Sequence, residues 1–162
     1  MLVKEKKMKN KKIDPDDPAA VEKAAASLLK YRMRSEHELK FRLKMKGYSE
    51  QNIENLIKKL KKHNIINDNM FAYYYSYDKI TLSEKGPKYV FIELKKLGVD
   101  ESIIYTTLEK IKEEVDIYEI AKNVSSKYYQ KTKDILKTKN YLFRRGFETD
   151  TIEFVIRDLG GD

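Results

Sequence analysis

A short phrase occurs three times along this chain: a leucine, three further residues, and a glycine that is followed by an apolar residue. The copies are Leu43–Gly47, Leu94–Gly98 and Leu142–Gly146, and their glycines lie 51 and 48 residues apart. Repeats of this period are typical of stacked modules, each of which is one supersecondary unit. The chain is therefore expected to fold as a string of units rather than as one wound domain.

Branched aliphatic residues recur at three fixed distances after each glycine. In the first copy they are Ile53, Ile57 and Leu60, which stand six, ten and thirteen residues after Gly47. The equivalent residues of the other copies are Ile104, Leu108, Ile111, Ile152, Ile156 and Leu159. Spacings of four and three place these side chains on one helix face, so each copy is predicted to contain a helix with a buried stripe.

Helix-capping residues stand on both sides of each glycine. The residues twelve before and two after the three glycines are Ser35, Gly86, Asp134, Ser49, Asp100 and Glu148. Thr149 is an alternative cap beside Glu148, and Ser35 with Glu38 has the spacing of a capping box. Because glycine adopts positive φ without steric cost, each unit is interpreted as cap, helix, glycine, cap and helix.

A third helix is predicted before each of these pairs. The candidates are Pro18–Lys30, Asp68–Lys79 and Ile117–Gln130. We therefore expect an all-α fold of three tandem three-helix units in an elongated, curved array. The predicted divisions are a basic, disordered tail at 1–16 and the repeats 17–66, 67–115 and 116–162.

One segment carries a competing signal. Apolar and basic residues alternate strictly from Leu39 to Lys46, which by itself indicates a half-buried strand. The equivalent segments 90–97 and 138–145 do not alternate. Because equivalent units should share a fold, 39–46 is predicted to be helical, with Leu39 and Leu43 inward.

The net charge of +8 is distributed unevenly. Residues 20–66 contain 12 Lys or Arg and 5 Glu, whereas residues 67–115 contain 7 basic and 9 acidic residues. Residues 116–162 are close to balance, with 9 basic and 8 acidic residues. The first unit is therefore the one best suited to a polyanion or to an acidic protein surface.

Other features of the composition bear on compartment and chemistry. The chain has no cysteine, which excludes disulfides and thiolate chemistry. It contains no run as long as a membrane span and no signal-peptide pattern, so we expect a cytoplasmic protein. No nucleophile with a base, metal cluster or phosphate loop is visible, and His37 and His63 are interpreted as surface residues. We expect a protein that is not an enzyme, with no cofactor and no metal.

Basic residues form the candidate binding surfaces. The sets are Arg32, Arg34, Lys40, Arg42, Lys44 and Lys46 in the first unit, Lys58 and Lys59 in its last predicted helix, and Arg144 and Arg145 in the third unit. Lysines beside phosphates give affinity and salt dependence, and arginine forks suit carboxylates or phosphates. The alternative for the lysine run at 58–62 is a solvated outer face.

A run of aromatic residues lies in the first predicted helix of the second unit. Phe71, Tyr74 and Tyr75 have i, i+3 and i+4 spacing, which favours an apolar stripe packed in a core. Tyrosines could instead serve as stacking platforms for nucleic-acid bases. The core interpretation is preferred.

The sequence also resembles the RecX family of bacterial regulators of the RecA recombinase. The resemblance spans about residues 20–159 and depends on the order and spacing of three motifs. The matching residues are Ser27, Leu28, Leu29, Arg32, Arg34, Ser35, Glu36, Glu38, Leu39, Lys46, Gly47, Asp68, Phe71, Ala72, Gly86, Glu93, Leu94, Gly98, Leu142, Arg144, Arg145, Gly146 and Phe147. Around Gly86 the family tends to be basic, whereas this chain has Pro87, Lys88 and Tyr89 in a net acidic unit.

The resemblance implies three-helix repeats, similar to a helix-turn-helix variant, that lie in the groove of the RecA filament on DNA. It implies inhibition of recombinase and coprotease activity, without catalytic residues. We also expect the chain to be a monomer. Two other functions stay open: direct DNA binding by helix-turn-helix-like units, and a helical-repeat scaffold for another protein.

Overall fold

The computed structural model of the chain describes residues 12–160, and this part contains nine α-helices and no β-strand. In chain order they are α1 (Pro18–Tyr31), α2 (Glu36–Met45), α3 (Glu50–Lys62), α4 (Asp68–Thr81), α5 (Pro87–Lys96), α6 (Glu101–Glu114), α7 (Ile117–Thr132), α8 (Ile135–Arg144) and α9 (Thr149–Asp158). The all-α, three-helix prediction is confirmed. Across residues 12–160, none of the helices is long and apolar enough to cross a membrane.

The helix ends follow the predicted caps and glycines. Ser35, Ser49, Asp100 and Asp134 are N-caps whose side chains accept hydrogen bonds from backbone N–H groups of the first turn. Gly86 and Glu148 are N-caps without a side-chain hydrogen bond. The three repeat glycines have φ between +76° and +99°, the left-handed conformation expected after a helix end.

The predicted capping box at the start of α2 is only half formed. The Ser35 hydroxyl accepts a hydrogen bond of 3.0 Å from the Glu38 backbone N–H, as expected. The Glu38 carboxylate, however, binds the guanidinium groups of Arg32 and Arg34 instead of returning to the Ser35 backbone. Two charged partners hold the carboxylate more strongly than one backbone N–H could.

The segment with the competing strand signal is helical and forms most of α2. Leu39 and Leu43 lie one turn apart on its inner face, and both are fully buried. Other apolar residues of the same segment lie on the outside of the helix, among them the half-exposed Phe41 and the exposed Met45. The alternation in sequence therefore reflects exposed apolar residues rather than a pleated strand.

Among residues 12–160, three hydrophobic clusters form the cores. The first lies within α1–α3 and is centred on Leu39, Leu43 and Ile57. The second and third lie within α4–α6 and α7–α9. Ile117 and Ile120 of α7 pack against both of these clusters, so the second and third groups of helices share an apolar seam.

The three-helix groups meet through a repeated contact, which we call the joint. In both joints, the N-cap residue before the second helix of one group binds the backbone carbonyl that precedes the glycine of the next group. At the first joint the Ser35 hydroxyl donates to the Leu97 carbonyl, and the His37 ring lies directly against Gly98. At this joint the Glu36 backbone N–H also donates to the Asp68 carboxylate at 2.8 Å.

The second joint uses equivalent positions, and backbone atoms of both groups form its two central hydrogen bonds. The Gly86 N–H donates to the Arg145 carbonyl at 2.8 Å, and the Lys88 N–H donates to the Gly146 carbonyl at 3.0 Å. A Cβ atom at Gly86 would lie 2.2 Å from the carbonyl carbon of Gly146. The glycines therefore permit close contact between groups in addition to ending helices, which the sequence pattern did not reveal.

The segment before α1 contacts the start of α3. The Pro15 carbonyl accepts hydrogen bonds from the Ser49 backbone N–H at 2.9 Å and from the Asn52 side chain at 3.1 Å. The Asp16 carboxylate accepts another from the Ser49 hydroxyl. Of the predicted disordered tail at 1–16, residues 1–11 lie outside the described residues, whereas Pro15 and Asp16 have defined contacts.

Candidate partner-binding surface

Helix α2 positions the first candidate cations. Because Leu39 and Leu43 face the core, the basic residues next to them lie toward the outer side of the helix. Lys40 is half-buried, while Arg42, Lys44 and Lys46 are exposed. The first unit therefore presents basic side chains at its surface. Some of them form ion pairs with glutamates, and others have no carboxylate partner in the described part of the chain.

A buried carboxylate organises the arginines. Glu38 and Arg34 have side chains that are each only 9 % exposed, and they form an ion pair that also includes Arg32. Arg34 donates a further hydrogen bond of 3.2 Å to the Leu28 carbonyl, and the Arg42 Nε lies 3.8 Å from Glu38. Arg34 is thus a core residue and does not belong to an exposed binding surface, whereas Arg32 and Arg42 remain about half exposed.

Three of the candidate lysines form ion pairs with glutamates. Lys40 Nζ lies 2.9 Å from Glu36 and 2.8 Å from Glu54. The Lys44 and Lys59 ammonium groups pair with Glu50 and Glu22, respectively. The hydrogen bonds that Lys40 donates to Glu54 and Glu36 raise the pKa of Lys40, so this lysine stays charged and held in place.

Glu36 is the acidic partner of Lys40 and also pairs with Lys61. Burial by itself raises its pKa, but hydrogen bonds from Lys61 and Lys40 outweigh burial and bring the pKa below its usual value. Glu36 therefore remains ionised at neutral pH and neutralises part of the charge of these two lysines.

The cations that remain in the first unit form a smaller set. Each of the five glutamates between residues 20 and 66 is within 4 Å of a basic side chain. In the same stretch, the exposed lysines without a carboxylate partner among residues 12–160 are Lys23, Lys30, Lys46, Lys58 and Lys62. Of the predicted site lysines, Lys46 and Lys58 are the ones left available for a partner.

The two arginines of the third unit differ in role. Arg144 is exposed and has no ion pair within the described part of the chain. Arg145 donates hydrogen bonds to the backbone carbonyls of Ser83 and Glu84 and to the Tyr141 hydroxyl. Arg145 therefore fastens the second joint, and the predicted pair is not a single surface.

The aromatic run of α4 is split between core and surface. Phe71 is buried and Tyr75 is half-buried, in agreement with the predicted stripe. Tyr74, however, is 51 % exposed, so its predicted place in the core is wrong. It lies on the wall of a cleft of about 440 Å³ that is also lined by Arg32 and Lys79. The neighbouring Tyr73 hydroxyl donates a hydrogen bond to Glu114, and the Tyr73 ring contacts that of Tyr74 edge-on.

Both histidines are exposed, as expected from the sequence. His37 is exposed and lies against Gly98, while His63 is the C-cap of α3. Within residues 12–160, no group of three or more His, Asp or Glu side chains is arranged to hold a metal ion.

The fold and surface together define a class: a tandem repeat protein of three-helix groups with exposed basic residues. The family described as "RecX, first three-helix domain" matches residues 23–60. The "Regulatory protein RecX" of Thermotoga petrophila is 39 % identical over 137 residues, which cover 85 % of this chain and 83 % of that protein. The chain belongs to the RecX family of regulatory proteins.

Other relatives agree with this assignment. The "Regulatory protein RecX" of Oceanobacillus iheyensis is 37 % identical over 136 residues, which cover 81 % of this chain but only 50 % of that longer protein. The crystal structure of RecX from Lactobacillus salivarius has a TM-score of 0.80 and 28 % identity, and the match covers 90 % of this chain and 97 % of that one. A second RecX crystal structure matches with a TM-score of 0.74 and 26 % identity, over 85 % of this chain and 70 % of that one.

Proposed function

We propose that this chain regulates the RecA recombinase by binding the RecA filament on DNA, and that it mostly inhibits recombination and coprotease activity. The single observation that best supports the proposal is the likeness to regulatory proteins named RecX over most of the chain. The mechanism is binding and needs no catalytic group or cofactor. The site of action is the cytoplasm, and the chain acts as a monomer.

The joints link the three-helix groups into a string, which suggests how the chain could bind a filament. We take residues 17–66, 67–115 and 116–162 as the modules, linked by short contacts at Gly98 and Gly146. A string of modules can contact several filament protomers at once, so its affinity for the assembled filament exceeds its affinity for free RecA. Regulation of assembly requires such a difference in affinity between the two states.

Two exposed cations of the predicted set are our candidates for this contact. Lys46 follows α2 in the first module and Arg144 ends α8 in the third, so the exposed cations lie at opposite ends of the chain of modules. Both residues lack a carboxylate partner in the part of the chain that the structure describes. We assign them to contacts with acidic groups of RecA or with DNA phosphates in the filament.

Co-sedimentation tests this proposal. RecA filaments assembled on single-stranded DNA are expected to pellet the chain, whereas free RecA without DNA is expected to retain little of it. The double variant Lys46→Glu/Arg144→Glu should pellet about tenfold less well, because like charges then face each other.

The matched control is Lys122→Glu/Lys139→Glu, which makes the same change in net charge at two exposed lysines of the third module. This control should pellet like the unmodified chain. Equal binding to free RecA and to filaments would contradict the proposal, as would an equally large decrease in both double variants.

A further inference from the structure

Two halves of a joint have no counterpart within residues 12–160. Each joint consists of a donor half, which is the N-cap before the second helix of a group, and an acceptor half, which is the turn around the repeat glycine of the next group. Asp134 begins the donor half of the third group, and the Lys46–Gly47 turn is the acceptor half of the first. In the described part of the chain, neither of these halves forms a backbone hydrogen bond to another group.

The acceptor half of the first group has the conformation of the two that are in use. Gly47 has φ +99°, and no atom lies within 4 Å of a Cβ added there, whereas a Cβ at Gly98 or Gly146 would meet a neighbouring group. The Lys46 and Gly47 carbonyls accept no backbone hydrogen bond within residues 12–160. In the second joint the equivalent carbonyls, those of Arg145 and Gly146, accept from the group before them. The first turn therefore has the shape and the acceptors to receive a further donor half.

The donor half of the third group has an exposed leucine where the other groups have polar residues. Leu136 stands ten residues before the glycine of its group, as His37 and Lys88 do in theirs. Both of the latter residues contact the next group, at Gly98 and Gly146 respectively. Leu136 is 66 % exposed. Because an unpaired outer face of a repeat array is normally polar, leucine at this position indicates a surface that a partner covers.

The backbone of this donor half also matches the half in use. The Gly86 N–H donates to the Arg145 carbonyl, whereas its equivalent, the Asp134 N–H, donates to no backbone carbonyl within residues 12–160. The Asp134 carboxylate caps α8 by accepting a hydrogen bond of 2.9 Å from the Lys137 N–H, so the helix start itself is complete. An unused donor and an unused acceptor therefore stand at the two positions that an existing joint connects.

We propose that copies of this chain associate end to end through a third joint, in which Asp134 and Leu136 of one copy bind the Lys46–Gly47 turn of the next. The occupant is a second copy, because the two unused halves are equivalent to the halves that already pair within the chain. They are different surfaces, so the contact is heterologous and can extend along a row of copies.

The small size of the contact makes the association weak. Dilute copies stay monomeric, whereas copies held next to one another meet at a high effective concentration and associate. This inference goes beyond the proposed function because it requires no recombinase. Copies that lie side by side on one RecA filament would bind it cooperatively, which is a consequence that does rest on the proposed function.

Cross-linking of two cysteine variants tests the inference without RecA. The chain has no cysteine, so Lys46→Cys and Lys137→Cys each introduce a single thiol. Lys137 is equivalent to Tyr89, whose Cβ lies 2.5 Å from the position of a Cβ at Gly146 in the second joint. In a concentrated equimolar mixture, a short bismaleimide should join the two variants into a dimer. Either variant alone should give about tenfold less dimer, because only the mixed pair brings two thiols to one heterologous contact.

A change in the donor half has a matched control on the same helix. Leu136→Glu, added to the Lys137→Cys chain, should reduce the mixed dimer about tenfold, because a charge without a partner would be buried in the joint. Phe143→Glu makes the same kind of change at a residue of α8 that is 64 % exposed and lies outside the donor half. It should leave the yield of dimer unchanged.

The acceptor half is tested with a pair of glycines. Gly47→Asn, added to the Lys46→Cys chain, should also reduce the mixed dimer, because asparagine tolerates positive φ and its side chain fills the space of the joint. Gly160→Asn is the control, since Gly160 has φ +86° and the same open space but lies in no joint. Equal dimer from either cysteine variant alone would overturn the inference, as would a yield that Leu136→Glu and Gly47→Asn leave unchanged. A chain that pellets with RecA filaments but forms no mixed dimer would overturn this inference alone and leave the proposed function standing.

Discussion

Gly86→Ala is expected to destabilise the protein by about 2–3 kcal/mol and to open the second joint, because an added methyl group must displace backbone. The backbone of Gly86 has φ −79°, which alanine adopts freely, so the cost is steric rather than conformational. The new Cβ would lie 2.2 Å from the carbonyl carbon and oxygen of Gly146 and 2.3 Å from the Phe147 backbone nitrogen. Urea unfolding measures the destabilisation, and hydrogen exchange at the Lys88 amide reports the joint.

Gly47→Ala is the control for this variant. Gly47 has φ +99° and no atom within 4 Å of an added Cβ, so alanine there introduces backbone strain of about 1–2 kcal/mol without a clash. Hydrogen exchange at Lys88 should be unchanged in Gly47→Ala and much faster in Gly86→Ala. A Gly86→Ala protein with native stability and a protected Lys88 amide would show that the joint is not a close contact.

Glu38→Gln is expected to cost about 3–5 kcal/mol of unfolding free energy, because it leaves the Arg34 guanidinium buried without its carboxylate. Glutamine has nearly the same shape as glutamate, so the core packing around Leu39 is preserved. The Arg34 side chain is only 9 % exposed and retains the Leu28 carbonyl as a partner. Urea unfolding at neutral pH gives the free-energy difference.

Glu50→Gln provides a comparison at an ion pair of the same module. Glu50 pairs with Lys44 at the surface, where water and salt already screen the attraction. Its replacement should leave the urea midpoint close to that of the unmodified chain. If Glu38→Gln were as mild as Glu50→Gln, Glu38 would not be the organising group of the arginine cluster.

The helix boundaries were predictable from the sequence because they depend on local chemistry. Ser49, Asp100 and Asp134 each cap a helix by accepting a hydrogen bond from a free backbone N–H group of its first turn. Because the chain is a repeat, this signal can be compared between three copies. The same comparison favours a helix for the alternating segment of α2, since the equivalent segments in α5 and α8 lack the alternation. Local signals therefore sufficed for the elements of the fold.

The binding surface was less predictable because it depends on contacts between distant residues. Arg34 and Arg32 look equivalent in sequence, but only Arg34 is buried against Leu28 and Glu38. Arg144 and Arg145 are neighbours, yet a helix turns them to different sides, and only Arg145 reaches the 83–84 carbonyls. The net charge of a module can be counted from the sequence. To identify the basic residues that have no ion pair, one must know where all the glutamates lie in the structure.

The joint explains why the repeat phrase ends in glycine. The sequence pattern predicts helix ends at Gly98 and Gly146, which their positive φ values confirm. The structure adds that a neighbouring residue, His37 at one joint and Tyr89 at the other, occupies the space a Cβ would need. At Gly47 that space is open. No module precedes the first one among the described residues, so no neighbouring residue packs against its glycine.

The hydrolysis of ATP by RecA on single-stranded DNA tests the central claim most directly. The unmodified chain, added during filament assembly at far less than one molecule per RecA protomer, is predicted to lower the rate, because a bound string of modules affects many protomers. Lys46→Glu/Arg144→Glu should require a higher concentration for the same effect, and Lys122→Glu/Lys139→Glu should not. An ATPase rate that is unchanged even at equimolar unmodified chain would contradict regulation of RecA by this protein.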